Sequence, residues 1–139
     1  DINKDGEDDV FFFFFHSFSD QLFTQHNGIF KHNIVKSLLV DSTAESIDAT
    51  FIDIDNDSDL DLYVVSGGYQ FPAQDRMYQD RCYINDGSGN LSAAGGSIPS
   101  ETENGSSVLA FDADNDKDMD LFVGGSVTPE KYPFCDNSL

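Results

Sequence analysis

Apolar residues in this chain gather in short runs instead of helical stripes. Three runs start abruptly where an acidic stretch ends: Val10 to Phe15, Leu62 to Val65 and Leu121 to Val123. Two others bracket a turn signal, Leu22 to Phe30 around Asn27 and Gly28, and Cys82 to Leu91 around Asn85, Asp86 and Gly87. Asn-Gly and Asp-Gly pairs supply the positive φ of a tight hairpin turn, so each reads as strand, turn, strand. Two more runs, Ile47 to Ile54 and Val108 to Ala113, lead into the second and third acidic stretches. No window repeats apolar residues at spacings of three and four between capping residues, so no helix is predicted. The repeating unit is strand, acidic loop, strand, longer link and hairpin, with four strands.

The acidic stretches share one spacing. Asp1, Asn3, Asp5, Glu7 and Asp9 recur as Asp53, Asp55, Asp57, Asp59 and Asp61, and again as Asp112, Asp114, Asp116, Asp118 and Asp120. Their first residues stand 52 and 59 positions apart, the range of a propeller blade and not of a helical hairpin. On that period residues 1–35 finish one blade, 46–98 make a complete blade and 106–139 start a third. The expected fold is all-β, a partial β-propeller of about two and a half four-stranded antiparallel blades. Propellers typically close with four to eight blades. The sequence is therefore expected to be a piece of a longer chain, the alternative being a small open β-stack that self-associates through open blade faces.

Oxygen ligands at every second residue converge on one hard cation when the backbone curls around it, the seventh residue adding its carbonyl and the ninth a carboxylate. Without a cation, each close carboxylate pair costs on the order of 4 kcal/mol near a protein surface. Ca2+ is the ion this pattern favours, up to three, one per loop. An EF-hand needs Glu at the twelfth loop position, and those positions here are Phe12, Val64 and Val123. The loops therefore feed strands, not helices.

A formal charge of −19 arises from 26 acidic and 7 basic residues, much of it as ligand charge in the loops. Three calcium ions would leave about −13, which still opposes nucleic acid or an anionic membrane as partner. With 39% apolar residues and thirteen Phe the chain can bury a core, and no apolar stretch reaches the roughly 18 residues of a membrane span. Loops that need millimolar calcium work outside the cytosol, so an extracellular or cell-surface location is expected. A disulfide is permitted there, and whether Cys82 and Cys135 pair is left open by the sequence.

No catalytic constellation is legible. His16, His26 and His32 form no H-E-x-x-H motif and no G-x-S-x-G elbow occurs, so each histidine reads as a loop or surface residue and no enzyme is expected. A glycosidase-like carboxylate pair is arithmetically possible, but a calcium-bound carboxylate is a poor general acid. Arg76 and Arg81, with Tyr69, Phe71, Tyr78 and Tyr83, either line a ligand surface or pack on a long loop, and packing is the preferred reading. Phe11 to Phe15 is likewise read as a strand buried on both faces, in preference to a binding surface.

With loop, hairpin and period in place, the chain resembles the FG-GAP/VCBS repeats of integrin-α-like seven-bladed β-propellers. Asp59 and Asp61 run into Leu62 to Val65 and Gly67-Gly68, and Asp118 and Asp120 run into Leu121 to Val123 and Gly124-Gly125. These phrases are especially similar to secreted bacterial proteins of the ASPIC/UnbV, cartilage acidic protein-like, group. Tyr83 to Gly87 and Val127 to Pro133 also fit that group. The resemblance implies metal ligands at positions one, three, five, seven (by its carbonyl) and nine, which are the fifteen loop residues named above. It implies Gly at position six as well, where Ser58 and Lys117 stand in the second and third loops. The implied role is a calcium-pinned structural or interaction module, for adhesion or for a protein or glycan ligand. The alternative is a catalytic or non-catalytic part of a secreted carbohydrate-active protein.

Overall fold

Strand boundaries follow the acidic loops. The computed structural model describes residues 1–14, 18–96, 98–100 and 102–127. In it β4 (Ser46–Ile52) stops at the residue before Asp53, and β5 (Asp61–Ser66) starts on that loop's ninth residue. Around the third loop β8 (Gly105–Phe111) and β9 (Asp120–Gly125) repeat the arrangement. The first loop leads into β1 (Val10–Phe12), then the hairpin β2 (Gln21–His26) and β3 (Ile29–Asn33); β6 (Arg81–Asn85) and β7 (Leu91–Ala93) form the second hairpin. All pairings are antiparallel, in sheets ordered β1-β2-β3, β4-β5-β6-β7 and β8-β9. The described chain is all-β, as the patterning predicts. Asn27 and Gly28 take φ of 51° and 74°, the two left-handed residues that a hairpin turn of this length requires.

Burial explains why β5 shows no alternation. Successive side chains of a strand leave in opposite directions, and here both directions lead into a core. Leu62 and Val64 meet Ile2, Leu22, Val35 and Leu38 from the first unit. Tyr63 and Val65 instead meet Val123 with Val108, Ala110 and Leu121 of the third sheet. The four-stranded sheet is thus the middle of three layers, and all six residues of β5 are buried. The second and third sheets close onto each other at two glycines. A Cβ on Gly105 would overlap the Val65 side chain, and one on Gly67 would overlap the Gly105 carbonyl.

Three expectations change. A five-residue helix, α1 (Lys36–Val40), and one 3-10 turn (Arg76–Tyr78) occur where no helix was predicted. α1 has no side-chain cap and is too short to show a period; burial of Leu38 against the first core holds it. Second, the described part of the Phe11 to Phe15 run, residues 11–14, is not a strand buried on both faces. Only Val10–Phe12 is strand; Phe11 packs on the core while Phe12 and Phe14 are 51% and 36% exposed. No described layer covers that side of the sheet. Third, the arginine and tyrosine group divides. Tyr78 and Tyr83 are fully buried, with Tyr78 Oη donating to the Phe71 carbonyl at 2.7 Å, whereas Tyr69 is exposed. Cys82 is buried, and burial followed by the nearby Asp61 charge pushes its thiol up to about 11. Cys135, Phe15 and His16 lie outside the described residues, as do positions 128–133 of the family-like tail.

The strand ends away from the acidic loops are held by buried polar groups. Asp20 accepts from the Phe14 amide at 3.0 Å, and Asp80 accepts from the Ser66 amide and Tyr63 Oη, both at 2.8 Å. Arg81 lies between them, donating to Ser46 and Ser66 Oγ and standing 3.7 Å from the Asp20 carboxylate. Burial pushes the Asp80 carboxyl from 3.8 up to about 6, against the pull of the Ser66 amide, the Tyr63 hydroxyl and the Arg81 charge.

Leu62→Ala should cost about 2–5 kcal/mol by urea denaturation, because it empties a site between two layers. Leu109→Ala, on the outer face and 60% exposed, should cost much less. Asp80 binds its proton more tightly folded than unfolded, so its contribution to stability is fully present below pH 3.8 and is lost as pH rises through about 6. In EDTA, Asp80→Asn should remove up to roughly one proton from the pH dependence of unfolding across that window.

Candidate metal loops

All three acidic loops follow one backbone path. Position four is left-handed at Lys4, Asn56 and Asn115 (φ 58°, 62° and 63°), and so is position six at Gly6, Ser58 and Lys117 (φ 88°, 70° and 80°). Ser58 and Lys117 therefore adopt what glycine adopts in the first loop, at a cost of roughly 1–2 kcal/mol each. The first carboxylate winds the loop by gripping amides. Asp1 accepts from Asp5 and Gly6 at 3.0 and 2.8 Å, Asp53 from Asp57 and Ser58 at 3.2 and 3.0 Å, and Asp112 from Lys117 at 3.1 Å. Position five then accepts from the amide of position seven in each copy, at 3.0 Å for Asp5 and Asp57 and 2.9 Å for Asp116.

The ninth residue has a structural duty in each loop. Asp9 accepts from the Ile2 and Gln25 amides at 2.7 and 2.8 Å, and Asp61 from the Ile54 and Asn85 amides at 2.9 and 2.8 Å. Asp120 accepts from Ala113 at 2.8 Å. Each thus pins the loop's second residue, and the first two also fasten the loop to the following hairpin. A carboxylate oxygen has further acceptor capacity after one such bond, so this duty is compatible with a cation.

Donor atoms converge differently in the three copies. Within 4.8 Å of one another lie ligand atoms of Asp53, Asp55 and Asp57 in the second loop, and of Asp112, Asp114 and Asp120 in the third. In the first loop the group is Asp5, Glu7 and His26; Asp1, Asn3 and Asp9 there hold backbone amides. Asp59 and Asp61 of the second loop and Asp116 and Asp118 of the third stand outside these groups. The Asp59 side chain is nonetheless buried. Its Oδ2 is 3.9 Å from Lys4 Nζ, and its Oδ1, like Asp112 Oδ1, is buried without a hydrogen-bond partner among the described residues. Desolvation first, and the neighbouring Asp57 next, hold the Asp55 and Asp59 carboxyls above their ordinary range. A cation at these loops would reverse that penalty.

Two sets of residues escaped the sequence. Asp20 and Asp80 immediately precede corresponding hairpin strands and grip corresponding amides; that shared position was the available signal. His26 carried no signal, because only the turn at Asn27 brings it to the first loop.

Asp61→Asn should lower stability by about 1–3 kcal/mol in EDTA, since an amide cannot accept from both partner N–H groups. Asp55→Asn in EDTA should stay within about 0.5 kcal/mol of the parent. Urea denaturation of both variants checks the contrast.

Comparison with known proteins gives one family match: residues 68–123 match the model described as an FG-GAP-like repeat. That stretch runs from the link after β5 through the second hairpin and the third acidic loop into β9. No curated protein and no solved structure matches the chain. The chain carries an FG-GAP-like repeat, built from antiparallel strands and one of the three acidic loops.

Proposed function

We propose that this chain is part of a calcium-stabilised β-propeller serving as an extracellular interaction module, with one Ca2+ in each acidic loop. The observation that carries the calcium reading is the convergence of carboxylates in the second and third loops, where Asp112 Oδ1 is moreover buried without a hydrogen-bond partner among the described residues. A buried acceptor without a donor is costly, and a hard cation bound by oxygen is the partner that suits it and the crowded carboxylates around it. The ligands are those of the repeated pattern: Asp1, Asn3, Asp5 and Asp9; Asp53, Asp55, Asp57 and Asp61; Asp112, Asp114, Asp116 and Asp120; with the carbonyls of Glu7, Asp59 and Asp118.

The propeller reading rests on three similarly built units, face-to-face sheet packing and the FG-GAP-like repeat. On it the three sheets are blades. Phe12 and Phe30 on one outer face, and Leu109, Phe111 and Phe122 on the other, are exposed; they are where further blades, or a second copy of the chain, would stack. Such a module acts by presenting links between its strands to a protein or glycan. The link 67–80, whose Tyr69 is 67% exposed beside the buried anchor Tyr78, is the surface favoured here. No catalytic role is assigned.

Calcium should raise the melting temperature and EDTA should lower it. Asp55→Asn and Asp57→Asn should weaken calcium binding, read by calorimetry, by about tenfold or more while leaving the circular dichroism spectrum unchanged. A melting temperature indifferent to chelator would overturn the calcium reading.

A further inference from the structure

The first acidic loop differs from its copies in holding an imidazole. His26 closes β2, and the left-handed pair Asn27 and Gly28 turns the chain directly after it. The Asn27 amide donates to Glu7 Oε2, and the Gln25 amide donates to Asp9 Oδ1 at 2.8 Å. These two bonds, one on each side of His26, fix the hairpin tip over the loop. His26 Nδ1 then stands 3.7 Å from Asp5 Oδ2 and 3.9 Å from Glu7 Oε2. In the second unit the residue after the hairpin's Asp-gripped amide is Asp86, and its carboxylate turns back to the Ser88 and Asn90 amides and the Asn90 side chain.

We propose that Asp5, Glu7 and His26 form a site for a first-row divalent transition ion, with Zn2+ as its representative, separate in chemistry from the calcium shell. Ligand atoms at about 2.0–2.1 Å from zinc in a tetrahedron lie roughly 3.3 Å apart. The observed 3.7 and 3.9 Å separations come within about half an ångström of that, and the side chains, 26–70% exposed, are free to close it. Imidazole is a poor ligand for calcium and a good one for zinc, copper, nickel or iron. The donor set of one imidazole and two carboxylates from two separate elements therefore selects a borderline ion, with water completing the shell. The seventh residue serves the calcium pattern only through its carbonyl, so the Glu7 carboxylate is available to this second ion, and Asp5 is the shared residue.

The test is titration of the calcium-free chain with Zn2+, followed by NMR of the histidine imidazoles. The His26 resonances, assigned by loss in His26→Gln, should shift at the first equivalent of Zn2+ and by much more than with Ca2+, which reaches Asp5 without ligating the imidazole. His26→Gln, at an exposed position, should keep its fold by circular dichroism and weaken the tightest zinc site at least about tenfold. Asp116→Asn, in the third loop, should leave that site unchanged. Unmoved His26 resonances at stoichiometric zinc, or an undiminished tightest site in His26→Gln, would overturn the proposal. Calcium binding at the second and third loops is read separately, so failure of this site leaves the calcium reading standing and the converse holds too.

Discussion

Two-sided burial of β5 is the constraint on which the structure depends. A strand can be apolar on both faces only if a layer lies on each, and the β4-β5-β6-β7 sheet meets that condition by sitting between the β1-β2-β3 and β8-β9 sheets. Leu62 and Val64 commit one face, Tyr63 and Val65 the other. A one-residue slip of β5 would exchange the two sets, and the layers they contact, at once. The glycines at 67 and 105 belong to the same constraint, because the second and third layers approach too closely there for a side chain.

Carboxylates frame this apolar stack at both ends, as acceptors for backbone amides that the ladders leave over. At the loop end Asp9, Asp61 and Asp120 tie loop to strand, and at the other end Asp20 and Asp80 hold the ends of the preceding strands. Buried amides must find partners, and a carboxylate serves two of them at one point. Part of the −19 charge is therefore internal architecture. The acidic residues that remain crowded, Asp53, Asp55 and Asp57 above all, are where the fold lacks compensating charge and where a cation has the most to offer. The same winding of amides onto Asp1, Asp53 and Asp112 shapes three loops that differ in side-chain chemistry, the first bringing an imidazole, His26, beside its carboxylates.

Much of the architecture was legible along the chain. The apolar runs located β2, β3, β5, β6 and β9, the Asn-Gly signal located the first hairpin turn, and the recurrent spacing located the loops, because each of these is written in local steric and hydrogen-bonding preferences. The family resemblance implied glycine at position six, and Ser58 and Lys117 take the left-handed conformation there without being glycine. Tertiary structure alone decided what is not local. α1 exists because Leu38 is buried in the first core, without help from capping or period. Phe12 and Phe14 are exposed because nothing described covers their side of the sheet, which the residues themselves cannot express. Asp61 proved to be a two-amide clamp, Arg81 a half-buried bridge between units, and His26 a neighbour of Asp5 and Glu7. Each of these depends on which parts of a folded chain come within hydrogen-bond reach, a relation between distant residues that no spacing along the sequence encodes.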